Sequence, residues 1–143
     1  MFFKQAELDD FDTAFQFIQD LWSYNTYDRE TTKQVYERVL QCPDSFFFFL
    51  MDQGACKGMC HGDYFDTFWM EGDTCYLSSL YVVPDERGKG YGKQLVDHAR
   101  ALAKARGCRA MVLDSGLPRT AAHQFYEHYG FEKSCYGFEL VGI

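Results

Sequence analysis

The chain has 143 residues, 47% of them hydrophobic, with 14 basic and 21 acidic side chains and a formal net charge of -7. That length predicts a single domain over 1–143 whose core buries roughly 70% of the unfolded surface. The acidic balance argues against a nucleic-acid partner, which calls for a basic surface. No apolar run approaches the ~20 residues of a membrane span, so no membrane partner is expected.

The opening residues, MFFKQAELDD, lack the basic start, long apolar middle and small-residue cleavage site of a signal peptide, so a cytoplasmic protein is expected. The six cysteines, Cys42, Cys56, Cys60, Cys75, Cys108 and Cys135, sit mostly in apolar segments. None form a C-x-x-C pair, and the histidines complete no zinc spacing. They read as free thiols, and no metal is expected.

In chain order, FFKQAEL reads as a first strand. Asp9 is placed to cap a helix whose apolar residues, Phe11, Ala14, Phe15, Ile18, Leu21 and Trp22, fall on one face. A second helix is expected over 31–41, with Val35, Val39 and Leu40 inward, stopped by Pro43. SFFFFLMD is a strand. ACKGMCHGDYFDTFWM and DTCYLSSLYVV are longer strands joined by a turn at Glu71, Gly72 and Asp73. Residues 90–106 give the clearest helix: Tyr91, Leu95, Ala99, Leu102 and Ala103 form its stripe, and Gly107 its stop. CRAMVLDS is a strand, TAAHQFYEHY a short helix closed by Gly130, and FEKSCYGFELVGI a final strand or hairpin. The segment from 75 to 113 reads as a crossover between parallel strands.

The densest signal lies between the fourth strand and its helix. YVVPDERGKGYGKQL places Arg87, Lys89 and Lys93 among Gly88, Gly90 and Gly92. The first N–H groups of a helix lack intrahelical partners and sit at the positive end of its dipole. Glycines let a backbone approach closely, so this turn suits an anion, a diphosphate better than a lone carboxylate. It is not a Walker loop: the glycines are too close and Gln94 follows Lys93, leaving no hydroxyl for magnesium. It is not a dinucleotide fingerprint either, since G-x-G-x-G lies past mid-chain.

Arg87-Gly88-Lys89-Gly90-Tyr91-Gly92 matches Gln/Arg-x-x-Gly-x-Gly/Ala, and resembles the acyl-CoA pyrophosphate loop of the GNAT superfamily of N-acetyltransferases. About 35 residues on, AAHQFYEHYGFEK resembles the family's late helix. The resemblance implies one GNAT domain over 1–143: an α/β (α+β) fold with a mixed, bent central sheet, splayed between strands 4 and 5 and flanked by about four helices. It implies acetyl-CoA as co-substrate, with no metal. The N–H of Leu80 would face the thioester carbonyl. Tyr81 would lie beside it, and Val82 would pair with the pantetheine amides. The N–H groups from Gly88 to Lys93 would hold the pyrophosphate, assisted by Arg87.

The implied reaction is direct transfer of an acetyl group to a primary amine within a ternary complex. Tyr126 occupies the family's general-acid position; a phenol with pKa ~10 is protonated at neutral pH and can donate. Many relatives carry a carboxylate base two residues before the position of Leu80, where this chain has Ser78. Asp114 is the tentative base, with His61, His123 or water as alternatives. Arg119 stands where relatives often carry an asparagine against CoA. The acceptor would be a small-molecule or protein amine. Tyr64, Phe65, Phe68 and Trp69 beside Asp63, Asp66, Glu71 and Asp73 suit a cationic, partly apolar one, or equally an exposed hairpin or homodimer surface. The other function class is a non-catalytic acyl-CoA sensor with the same fold. An acyltransferase toxin acting on charged tRNA is disfavoured by the acidic balance.

Overall fold

Four consecutive phenylalanines, Phe46 to Phe49, lie in strand β2 (Ser45–Asp52). Successive side chains on a strand point to opposite faces, so this run needs cover on both. The computed structural model describes residues 1–143. β2 pairs antiparallel with β1 (Phe2–Gln5) and with β3 (Ala55–Thr67). β3 pairs antiparallel with β4 (Gly72–Val82). β5 (Ala110–Leu113) completes a mixed, open sheet in the order β1-β2-β3-β4-β5, parallel to β4. Four helices accompany it: α1 (Phe11–Leu21), α2 (Arg29–Gln41), α3 (Tyr91–Arg106) and α4 (Thr120–Tyr129). The chain divides into two units, Met1–Val112 and Leu113–Ile143.

In the first unit, α1 and α2 cover one face of the sheet. Phe47, Phe49, Met59 and Tyr81 share a core there with Phe11, Ala14, Phe17 and Tyr36. Phe17 lies 4.8 Å from Tyr81, ring centroid to ring centroid. α3 covers the other face with buried Leu95, Val96, Ala99 and Ala103. Its His98 stacks on Phe3 at 4.0 Å and meets Phe48 edge-on at 4.5 Å. Burial there pushes the His98 imidazole below its ordinary pKa.

Gly58 lets β3 and β4 approach beneath α3. A Cβ at this position would fall 2.2 Å from the Tyr81 carbonyl oxygen and 3.1 Å from Leu95 Cδ1. The first contact is with backbone, which cannot swing aside. Gly58→Ala is therefore expected to cost about 1–3 kcal/mol, as overpacked cores do. Calorimetric melting checks this: a Tm lowered by several degrees is expected, and an unchanged Tm would show that the two strands separate freely.

Several local expectations change. Asp9 caps nothing: a 3-10 turn over Leu8–Asp10 precedes α1, and the carboxylate of Asp10 accepts from the Glu7 N–H at 2.9 Å. α2 begins at Arg29, two residues before the expected start. Asp28 is its cap, accepting from the Thr31 N–H at 2.9 Å. That helix buries Tyr36, while Val35 is exposed, because the Tyr36 hydroxyl reaches the Glu7 carbonyl at 2.6 Å. The cysteines are free, with Cys60 and Cys75 buried. In the second unit, residues 131–143 carry no helix or strand, so the expected closing strand or hairpin is not formed. Tyr136, Phe138 and Leu140 are exposed there.

Candidate active site

The end of β4 turns main-chain groups away from β3. The Val83 N–H donates to the Lys57 carbonyl at 2.9 Å, so this pair is hydrogen-bonded across β3 and β4. Antiparallel ladders alternate, so the next pair, Val82 opposite Gly58, turns its main-chain groups away from β3. The same alternation turns Leu80, opposite Cys60, away from β3. β5 does not take up this edge as a long partner. It is four residues long, and the Arg109 N–H just before it binds the Asp73 carbonyl at 2.7 Å, near the start of β4.

A β-bulge makes this arrangement. The register steps from His61 opposite Ser79 to Gly62 opposite Leu77, leaving Ser78 without a partner. One extra residue reverses the pleat. Before the bulge, Asp73 directs its carbonyl towards β5; after it, the even-numbered Leu80 and Val82 face that way. Ser78, read from sequence only as a missing carboxylate, is therefore the residue that re-aims the strand. The bulge also sorts side chains: Leu77 and Leu80 share one face, and Ser79 shares the other with His61, Asp63 and Tyr76.

Beyond β4, a 3-10 turn over Pro84–Glu86 leads into the glycine loop. Gly88 and Gly90 have φ of 78° and 87°, left-handed values that a Cβ disfavours. A Cβ at either would meet no protein atom within 4 Å, so the loop faces open space. Gly90 caps α3, and the Gln94 N–H makes the first turn's bond to its carbonyl at 3.1 Å. The N–H groups ahead of Gln94 have no helical carbonyl to bind, which is the geometry of an anion cradle.

The loop's cations are more committed than expected. Arg87 folds back on β4: its Nε donates to the Val82 carbonyl at 3.0 Å, and its guanidinium lies 5.7 Å from the Tyr81 ring centre. Lys89 pairs with Glu86 at 2.9 Å and Lys93 with Asp97 at 2.7 Å. Exposed pairs of this kind contribute about 0–1 kcal/mol, so an incoming anion displaces them at little cost. Glu86 also binds the buried Lys57 at 2.8 Å, tying the loop to β3. Lys57 first, then Lys89, holds the Glu86 carboxyl below the usual range. The Tyr91 hydroxyl donates to Asp52 at 2.8 Å, which fixes the start of α3.

The second unit holds the remaining candidates. Asp114 follows β5 and is exposed. Tyr126 lies in α4, half-buried, with its ring 5.3 Å from Phe125 and edge-on to Phe131 at 5.8 Å. Its carbonyl accepts from Gly130 and Phe131 at the helix end. His123 Nε2 is 2.9 Å from the Gly116 carbonyl, and the Arg119 N–H also donates to that carbonyl at 2.9 Å.

Residues 13–131 match the acetyltransferase (GNAT) family. The chain belongs to that family. Among its relatives, this GNAT chain is 33% identical to the uncharacterized N-acetyltransferase YhdJ of Bacillus subtilis over 112 residues, 78% of each chain. It is 25% identical to the aminoglycoside N(6')-acetyltransferase type 1 of Salmonella typhimurium, over 68% of this chain and 70% of that one. Its fold is similar to that of the aminoglycoside N-acetyltransferase AAC(6')-Iy solved in complex with CoA. That likeness has a TM-score of 0.84 at 19% identity, covering 99% of this chain and 93% of the other. The bulged fourth strand and glycine loop described above lie within the matched GNAT region.

Proposed function

We propose that this GNAT protein is an N-acetyltransferase that moves an acetyl group from acetyl-CoA to a primary amine by direct transfer in a ternary complex. The observation that carries the proposal is the continuity of the open edge at Leu80 and Val82 with the left-handed glycine loop and the start of α3. An extended arm ending in a diphosphate matches that sequence of main-chain groups. The Leu80 N–H would polarise the thioester carbonyl, and an oxyanion gains most from such a fixed donor. Val82 would pair with the pantetheine amides once Arg87 releases its carbonyl. The N–H groups from Gly88 to Lys93 would hold the pyrophosphate, with Arg87, Lys89 and Lys93 as counter-charges.

The acetyl group is the chemistry CoA supplies; the rest falls to this chain. Tyr126 would protonate the departing thiolate, and Asp114, His61, His123 and water are the candidates for the base. The aminoglycoside relatives support a small, cationic acceptor, in keeping with the net charge of -7. The β3–β4 turn carries Phe68 at 101% and Trp69 at 69% exposure, beside Asp66 and Glu71. These aromatics serve no core and are available to such an acceptor.

Thiol release from acetyl-CoA across a panel of amines tests the activity: an amine-dependent release is expected, and none with any amine would refute it. CoA should also raise Tm, since a ligand that binds only the native state stabilises it by about 2.7 kcal/mol at 100 times its Kd. No shift at millimolar CoA would remove both the enzyme and the sensor readings.

A further inference from the structure

We infer that His61 takes the proton from the acceptor amine and that Asp63 stabilises the imidazolium so formed. The inference rests on the acetyltransferase reading above. His61 Nε2 is buried and has no hydrogen-bond partner. Buried polar atoms are nearly always paired, so an unpaired ring nitrogen calls for a role. Its neighbours hold the ring in place: it stacks on Phe47 with centroids 5.6 Å apart and planes at 21°. Its position on β3 is opposite Ser79, between the Ser78 bulge and Leu80, whose N–H is assigned to the thioester.

Asp63 supplies the second element. Its Oδ1 lies 3.7 Å from His61 Nε2, longer than a hydrogen bond, and it accepts from the Ser45 hydroxyl. His61 first, then Ser45, holds the Asp63 carboxyl below the usual range against the opposing effect of burial. An ionised carboxylate is therefore set to face a charged imidazole. Asp63 is 41% exposed where His61 is 14% exposed, so the pair runs from a buried nitrogen out to water. The other ionisable groups on this face are Tyr76 and Tyr81 from β4, the latter with its hydroxyl donated to Asp20 of α1, and Lys4 from β1, paired with Asp10. β2 adds Ser45 and Phe47, and α2 adds Tyr36, edge-on to Phe47, with its hydroxyl donated to the Glu7 carbonyl.

The protons balance. The acceptor arrives as an ammonium ion and gives one proton to His61 Nε2; Asp63 stabilises the imidazolium until it returns that proton to water. The neutral nitrogen attacks the thioester carbon, forming the N–C bond as the C–S bond breaks. The thiolate takes a proton from Tyr126, and the phenolate recovers one from the nitrogen. The products are an amide, CoA thiol and one released proton.

His61→Gln and Asp114→Asn, compared over pH with one good amine, decide the matter. His61→Gln is expected to bind CoA normally and to lose about 10²–10⁴-fold in kcat/KM at neutral pH, the usual worth of general base catalysis. Its residual rate should climb with pH as the amine loses its proton to solvent. His61→Ala should recover activity with added imidazole, saturably, because the ring's space is then empty. A His61→Gln enzyme with the wild-type pH profile, or a CoA-binding His61→Ala enzyme untouched by imidazole, would overturn the inference; loss confined to Asp114→Asn would give the role to Asp114. A wild-type protein that binds CoA but acetylates no amine would refute the acetyltransferase reading itself, and this inference with it.

Discussion

Gly90→Asp is expected to abolish measurable CoA binding in a protein that still folds. Gly90 has φ of 87°, and a Cβ there meets no protein atom within 4 Å. The cost to the fold is thus confined to backbone strain of roughly 1–2 kcal/mol, eased because aspartate tolerates left-handed backbone better than most residues. The cost to the ligand is larger. A carboxylate would sit at the mouth of the anion cradle, against the pyrophosphate, and its Cβ would block close approach to the N–H groups that open α3. Gly90→Ala separates the two effects: it adds the Cβ without the charge and should weaken binding less. Calorimetric titration reads the result, and an unchanged CoA affinity in folded Gly90→Asp would show that the loop holds no phosphate.

Tyr126→Phe is expected to lower kcat by about 10²–10⁴-fold with CoA affinity nearly unchanged. The substitution keeps the ring and its contacts with Phe125 and Phe131 and removes only the hydroxyl. The loss should shrink with an acyl donor whose thiol is more acidic, because that leaving group needs less help from an acid. A single-turnover measurement separates chemistry from product release. A wild-type single-turnover rate in the phenylalanine variant would reduce Tyr126 to a packing aromatic.

The elements that periodicity or glycine chemistry dictate were legible from the residues alone. The α3 stripe, the apolar β2 run and the glycine loop all stand where the pattern placed them, because each depends on short-range spacing. What escaped the sequence depends on pairing between strands. In Leu77-Ser78-Ser79-Leu80 the two serines interrupt the alternation of apolar and polar residues, but only the register with β3 shows that a bulge there reverses the pleat. The role of Gly58 is hidden for the same reason, since the backbone it accommodates is that of Tyr81 on another strand. Arg87, Lys89 and Lys93 read as mobile charge because their partners, the Val82 carbonyl, Glu86 and Asp97, are chosen by the folded loop. The C-terminal residues show the converse failure: Tyr136, Phe138 and Leu140 carry strand periodicity but no pairing.

Amide hydrogen exchange over residues 80–93, with and without CoA, tests the central claim most directly. Ligand pairing at Leu80 and Val82 and a pyrophosphate on the loop would slow exchange along both stretches together. Strong, saturable protection of the Leu80 and Val82 amides and of those from Gly88 to Lys93 is the predicted result. Binding of CoA with no protection in either stretch would contradict the account, because the ligand would then lie elsewhere on the protein.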